Sequence, residues 1–402
     1  MTKKTKQIDP NRDHERELKE VRATFNAKTY QQYNQALVDE YLQLTSDIRT
    51  GIYDNESLTA GQEVEGHFVD RDTRKFADNS WTSKGIFGEV SKTLRTIDNT
   101  FKIAGELGDF NFEINTDAKP LTGSFLSDEE EEIRRKITAI DQAASQHGMT
   151  VYLSGLLENM KEEHITLDQI IKDPSKHNRY LGINQGVISF RGAPIEIDIS
   201  KGQRRYNHSF DNIMIEAFCT SLQQHIKLEH PNDDFAKYMN AASILAAPIL
   251  AIAGNSPLVM GEGPFWKDSR VRIFEQSIDP RTDTEREFGI NRNSFPERYY
   301  DSIEQFFTET LRHGAILPDM TFGKDESGKD EVNFPLLRLQ LGTDWRWIRP
   351  VWFGKDGDEK YITLEFRPIS SGPTVPDMMA NSALYYGALT YFVNNGIDKK
   401  FR

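Results

Sequence analysis

The sequence predicts an α+β fold built on a mainly antiparallel sheet. Segments with strand character cluster in the first half of the chain, helical periodicity dominates the second half, and one strand returns near the C-terminus. The regular strand–helix alternation of a doubly wound sheet is missing.

Residues 1–57 are rich in Lys, Glu, Gln and Arg, with Val21, Phe25, Tyr33, Leu37, Tyr41 and Leu44 at roughly helical spacing. This pattern predicts a helical N-terminal extension over 1–58 behind a disordered tip, packed on the body or on a second subunit of a homo-oligomer. Residues 59–402 then form the main domain. A strand is expected at about 62–70, followed by a loop rich in Asp, Asn, Ser and Gly, and a second strand over Phe110–Asn115. Ser127 is the expected cap of a helix opening on Asp-Glu-Glu-Glu-Glu132, since acids suit the positive end of the helix dipole. Further strands are expected at Met149–Ser154, Gly186–Arg191 and Pro194–Ile199, the last half-exposed with Glu196 and Asp198 on its wet side. Helices are predicted over Asp233–Ala253, capped by Asn232 or Asp233, over Tyr299–Arg312, and over Asp377–Asn394, with a strand at Tyr361–Arg367 between the last two.

Composition narrows the function classes. The 402 residues carry a net charge of −13, and no basic, aromatic-studded stripe is present, which argues against binding nucleic acid by phosphate neutralisation. The longest apolar run, Ala241 to Ala253, is too short to cross a bilayer, and the basic N-terminus continues into charged residues rather than an apolar leader. The single cysteine, Cys219, forbids an intramolecular disulfide and sits in the apolar run Ile215-Glu-Ala-Phe-Cys, as a buried core residue would. A cytoplasmic protein with no membrane partner is the expectation.

Four strand-like segments break the rule that a strand face is either apolar or solvated. Glu63 and Glu65 flank Val64, and Ser221, Gln223 and His225 alternate with apolar or amide neighbours. Glu365 and Arg367 flank Phe366, and Glu113 lies opposite Phe112 and Ile114. Residues two apart on a strand share a face. A wet strand face explains any one of these pairs. Together they would gather four carboxylates, an amide, an imidazole and an arginine on the inside of one sheet. Hard divalent cations seek such oxygen-rich surroundings, and arginine suits phosphate oxygens.

The same residues fall within blocks that resemble the second family of glutamate–cysteine ligases and related ATP-dependent carboxylate–amine ligases. The blocks are Gly61-Gln-Glu-Val-Glu65, Thr220-Ser-Leu-Gln-Gln-His-Ile226, Gly254-Asn-Ser-Pro257, Trp266-Lys-Asp-Ser-Arg270 with Phe274–Arg281, Trp345-Arg-Trp-Ile-Arg-Pro350, and Leu364-Glu-Phe-Arg-Pro368 through Gly372–Val375 and Asp377. They run in the family's order from Thr59 to about Phe392.

The resemblance implies a glutamine-synthetase-like catalytic domain, a curved antiparallel sheet with ATP and metal on its concave face and helices on its convex side. It implies that ATP phosphorylates the side-chain carboxylate of glutamate or a similar acid, and that an amine such as cysteine then forms the amide. It also implies Glu63, Glu65, Glu113 and Glu365 as ligands of Mg²⁺ or Mn²⁺, with Gln223 and His225 near metal and nucleotide. Arg367 then resembles the phosphate-contacting arginine. Arg270 and Arg349 would meet substrate carboxylate or transferring phosphate, and Asn255 would close its helix or contact substrate. An inactive nucleotide-binding regulator on the same scaffold is the competing reading. The chain departs from the family pattern at Gly66-His67, where a bulky residue usually follows the second Glu.

Overall fold

The computed structural model describes residues 26–77, 85–289, 291–324, 332–355 and 357–401. The expected disordered tip lies outside these residues. Helix α1 (Ala27–Arg49) is capped by the Asn26 side chain, which accepts from the Lys28 and Thr29 amides. It lies on the body: the Tyr33 hydroxyl donates to Leu336 O at 2.9 Å, and Glu40 accepts from the Leu337 amide at 2.8 Å.

The sheet is organised around one long strand, β1 (Thr59–Asp70). Along one edge it pairs with β2 (Asn111–Asn115) and the short β3 (Lys119–Pro120). Its other edge carries β4 (Met149–Tyr152) and β7 (Leu222–Lys227). Strand β9 (Tyr361–Phe366) pairs with β7, and β8 (Ile348–Phe353) closes that edge, all antiparallel. Edge placement accounts for Pro350 within β8, because a proline has no amide to donate to a second neighbour. β5 (Ile195–Lys201) and β6 (Arg204–Phe210) form a separate hairpin in which Glu196 is exposed and Asp198 half-exposed, as their alternation predicts.

One residue parity decides which side of the large sheet is core. Val64, Phe112, Leu222, Ile226, Leu364 and Phe366 are fully buried on the even-numbered face. Behind that face lie α3 (Phe125–Ser145), α5 (Pro231–Ala253) and α10 (Val375–Asn394). The Ser382 hydroxyl of α10 donates to the Gln62 side-chain oxygen at 3.0 Å, and Tyr386 donates to Gly61 O at 2.9 Å, fixing the helix to the strand. Gly66 explains the departure from the family pattern. A Cβ there would lie 2.6 Å from the Phe112 ring, so Phe112 on the neighbouring strand fills the space that a bulky residue would take.

Several expectations are corrected. Gly186–Arg191 is not a strand but the end of helix α4 (Pro174–Arg191), whose buried residues His177, Leu181, Asn184, Val187 and Arg191 recur at helical spacing. The stretch after β1 is not all loop: α2 (Gly85–Ile97) buries Ile86, Phe87, Val90 and Leu94. Its first amides are met from afar, Ile86 donating to the Asp109 carboxylate at 2.6 Å and Phe87 to Asp109 O at 3.1 Å. Helix α3 starts at Phe125, with Ser124 rather than Ser127 at its cap position. α5 starts at Pro231 after His230, because proline is preorganised for the first helical position. After the short α6 (Ser269–Ser277) and α7 (Asp283–Phe288), and before α9 (Pro335–Gly342), α8 (Ile303–Thr310) is shorter than expected, capped by Ser302. α10 starts at Val375, with the Thr374 side chain accepting from the Asp377 amide. Helix α5 is long and apolar enough to cross a membrane by length and composition, yet half of its most apolar stretch is buried.

Candidate functional site

The odd-numbered face of the same strands holds the polar residues singled out above. Register brings them together in rows: Glu65 opposite Glu113, Glu63 opposite Asn115 on one side and Gln223 on the other, and Glu365 between His225 and Arg349. The closest cluster joins Glu63, His225 and Glu365, whose ligand atoms all lie within 4.8 Å of one another. His225 Nε2 stands 3.2 Å from Glu63 Oε1 and 3.7 Å from Glu365 Oε1. Although buried, it makes no well-aligned hydrogen bond. The other ring nitrogen faces the Thr363 hydroxyl at 3.1 Å.

Each of the other expected ligands has a distinct setting. One Glu65 oxygen accepts from the Ser221 amide and hydroxyl at 2.6 and 2.9 Å, and the other accepts from Gln223 at 2.7 Å. Glu113 accepts from the Asn115 side chain at 2.7 Å. Arg349 grips both oxygens of Glu365 and also donates to Leu341 O at 3.0 Å, while Arg367 lies 3.6 Å from Glu365. Gln223 thus positions Glu65, and Arg349 belongs to the cluster.

Two expected residues stand elsewhere. Arg270 is buried and lines neither concave-face cavity. It donates to Ser370 Oγ at 3.0 Å and to the Arg367 and Pro368 carbonyls, and it lies over the Trp347 ring. It therefore holds the backbone that carries Arg367. Asn255 does not close its helix. Its side chain accepts from the Gly155 amide at 2.9 Å and donates to Ser371 O at 2.7 Å, lining a different cavity beside Asp141 and Tyr152.

Two cavities open on the concave face and share Glu63 and Glu113. The outer one, about 770 Å³, is lined by Gly61, His225, Lys227, Phe353, Tyr361 and Thr363 among others. The inner one, about 270 Å³, adds residues that strand patterning does not reveal: Glu106, Lys176, Arg179, Tyr180 and Glu216. Glu216 was visible as a lone acid in the apolar run before Cys219. Glu106, Lys176 and Arg179 come from a loop and a helix, whose sequences carry no comparable signal.

Electrostatics divide the carboxylates. Burial pushes Glu65 up to about 7, reinforced by Glu106, and pushes Glu216 up to about 8, reinforced by Glu65 and Glu106. Burial and the Glu63, Glu106 and Glu65 charges also raise Glu113. Glu365 goes the other way: burial opposes its charge, but Arg349, Arg367 and His225 hold it down to about 2. For His225 burial is outweighed by Glu63 and Glu365, which raise it. Six crowded glutamates and a few cations make a site that favours added positive charge. Two carboxylates and an imidazole aimed at one point fit a divalent cation.

The model of glutamate–cysteine ligase family 2 matches residues 59–389. No curated protein matches the chain. Among solved structures, the glutamate–cysteine ligase of Francisella tularensis in complex with AMP is 11% identical. The match covers 85% of this chain and 67% of that one, with a TM-score of 0.51, a likeness of fold. A structure described as a novel glutamine synthase homolog is 10% identical, with 90% of this chain and 59% of that one covered and a TM-score of 0.34. With the family model spanning the whole sheet and the helices behind it, the chain belongs to glutamate–cysteine ligase family 2.

Proposed function

We propose that this protein is an ATP-dependent carboxylate–amine ligase that activates the side-chain carboxylate of glutamate or a similar acid and joins it to an amine such as cysteine. One observation carries the reading: two cavities of different character meet at Glu63 and Glu113, beside the Glu365–Arg349–Arg367 cluster. The larger, partly aromatic cavity suits a nucleotide. The smaller one, with Lys176, Arg179, Arg349 and Arg367 in its wall, suits a small acid.

In this arrangement the terminal phosphate of ATP reaches the junction, where an oxygen of the acid attacks phosphorus and the bond to ADP breaks. The amine then attacks the acyl carbon, and phosphate leaves. Glu63, His225 and Glu365 would hold Mg²⁺ or Mn²⁺, with Glu65 and Glu113 adjoining. Such an ion supplies positive charge that offsets repulsion between the two anions. Arg367 offers a second positive charge to the transferring phosphate. Arg349 holds Glu365 ionised, and Gln223 and Ser221 orient Glu65. Phosphoryl transfer is accelerated mainly by such positioning and charge stabilisation.

The test is phosphate release by the purified protein with ATP, Mg²⁺, glutamate and a panel of amines, with product masses recorded. Release that requires both acid and amine supports the reading. ATP binding without turnover on any amine would favour the inactive regulator instead.

A further inference from the structure

A separate cavity of about 320 Å³ shares no lining residue with either concave-face cavity. Its wall includes Arg281, Arg292, Arg312 and Arg346, together with His313, against two acids, Glu285 and Glu309. Both acids are already engaged. Glu285 accepts from the Thr282 amide and hydroxyl at 2.9 Å each, and Glu309 is held by Arg298 at 2.6 Å and by the Tyr300 hydroxyl. Arg281 is likewise satisfied, by a two-pronged contact with Asp279 at 2.9 Å on each prong.

His313 pairs with the buried Asp344 at 2.9 Å, whereas Arg292, Arg346 and Arg312 are less fully met. Arg292 is only 6% exposed, yet among the described residues it donates to carbonyls alone, Thr343 O at 3.1 Å and Gly314 O at 2.7 Å. Burial, helped by Arg346, pushes it down to about 10 despite Asp344 and Asp279. Arg346 is 2% exposed; its Nη1 donates to Ser294 Oγ at 3.1 Å and its Nε lies 3.9 Å from Asp344 Oδ1, but its Nη2 makes no hydrogen bond, with Glu309 Oε2 3.7 Å away. Among the described residues the Arg312 side chain has no partner. Burying guanidinium charge with its nearest carboxylates at 3.7 and 3.9 Å, beyond hydrogen-bond reach, is costly, and a bound oxyanion would lower that cost.

We propose that this cavity is a second binding site, for a small molecule carrying two or more oxyanion groups, of the phosphate or carboxylate kind that guanidinium forks recognise. Its volume exceeds what one phosphate needs. The site backs on the inner cavity through one short segment: Gly342 and Trp345 line the inner cavity, while Arg346 lines this one. A ligand here would therefore press on the wall of the acid site without entering it.

The experiment is calorimetric titration of the full-length chain, without metal or nucleotide, using pyrophosphate and glutarate at matched ionic strength, in the wild type, Arg312→Gln, Arg312→Lys and Arg367→Gln. The expected result is saturable binding of at least one probe, weakened tenfold or more by Arg312→Gln. Arg312→Lys and Arg367→Gln should each weaken it less than threefold. Far-ultraviolet circular dichroism on the variants verifies their folding, and Arg312 is an exposed residue with no side-chain partner among the described residues to lose. Binding of neither probe, or loss confined to Arg367→Gln, would overturn the proposal.

Discussion

The two faces of the sheet share one backbone and differ in everything else. Val64 lies between Glu63 and Glu65, and Phe366 between Glu365 and Arg367. The even residues are sealed against α5 and α10, while the odd ones surround two cavities. Alternation lets a single strand serve stability on one side and carry costly, crowded charge on the other. Substitutions one residue apart should therefore fail in different ways.

The largest effect is expected on the polar face. Glu365→Gln removes the anion that Arg349, Arg367 and His225 surround, and ligase turnover should fall on the order of 10³-fold, or about 4 kcal/mol of barrier. Its melting temperature should fall too, because Arg349 and Arg367 lose a buried counter-charge, so the diagnostic quantity is turnover per folded molecule. One residue back, Leu364→Ala should give the opposite result, costing about 3 kcal/mol in denaturant unfolding while turnover per folded molecule stays near wild type. If both variants lose turnover per folded molecule alike, the faces are not separable.

Gly66→Ala tests the seam. The added Cβ would meet the Phe112 ring at 2.6 Å, so about 1–3 kcal/mol of destabilisation is expected. Gly66→Ala with Phe112→Leu should recover part of it.

The smallest effect concerns pH. Glu65 and Glu216 titrate near 7 and 8 in the folded chain, above the ordinary carboxylate value of 4.5. Their stabilising contribution is therefore fully present below about pH 4.5 and is lost as pH rises through 7 to 8. Melting temperature without divalent ions should fall between pH 6 and 9, and added Mg²⁺ should restore more at pH 9 than at pH 6. A profile with the opposite slope would contradict the charge crowding described here.

What could be read from sequence follows the same division. The polar pairs stood out because each interrupts an apolar strand, and their register then brought Glu63, His225 and Glu365 to one point. Features made by distant contacts did not stand out. Gly186-Val-Ile-Ser-Phe-Arg191 has a strand's composition, yet it ends a helix whose buried positions mix His177, Asn184 and Arg191 with Leu181 and Val187. Gly186 lets that helix approach Ile316 O, where a Cβ would come within 2.4 Å. Helix α2 takes its first amide partners from Asp109, so no local cap announces it. Arg270 looked like a substrate contact, being an arginine in a family block, but three nearby acceptors at Ser370, Arg367 and Pro368 engage it.

The central claim is that the polar face activates a carboxylate with ATP. Hydroxylamine tests it directly, because it captures an acyl phosphate whichever amine the protein normally uses. With glutamate, ATP, Mg²⁺ and hydroxylamine, the wild type should form a glutamyl hydroxamate and release one phosphate for each, and Glu365→Gln should form almost none. Absence of hydroxamate from wild-type protein across a panel of small dicarboxylic and amino acids, under conditions where ATP binds, would contradict the account.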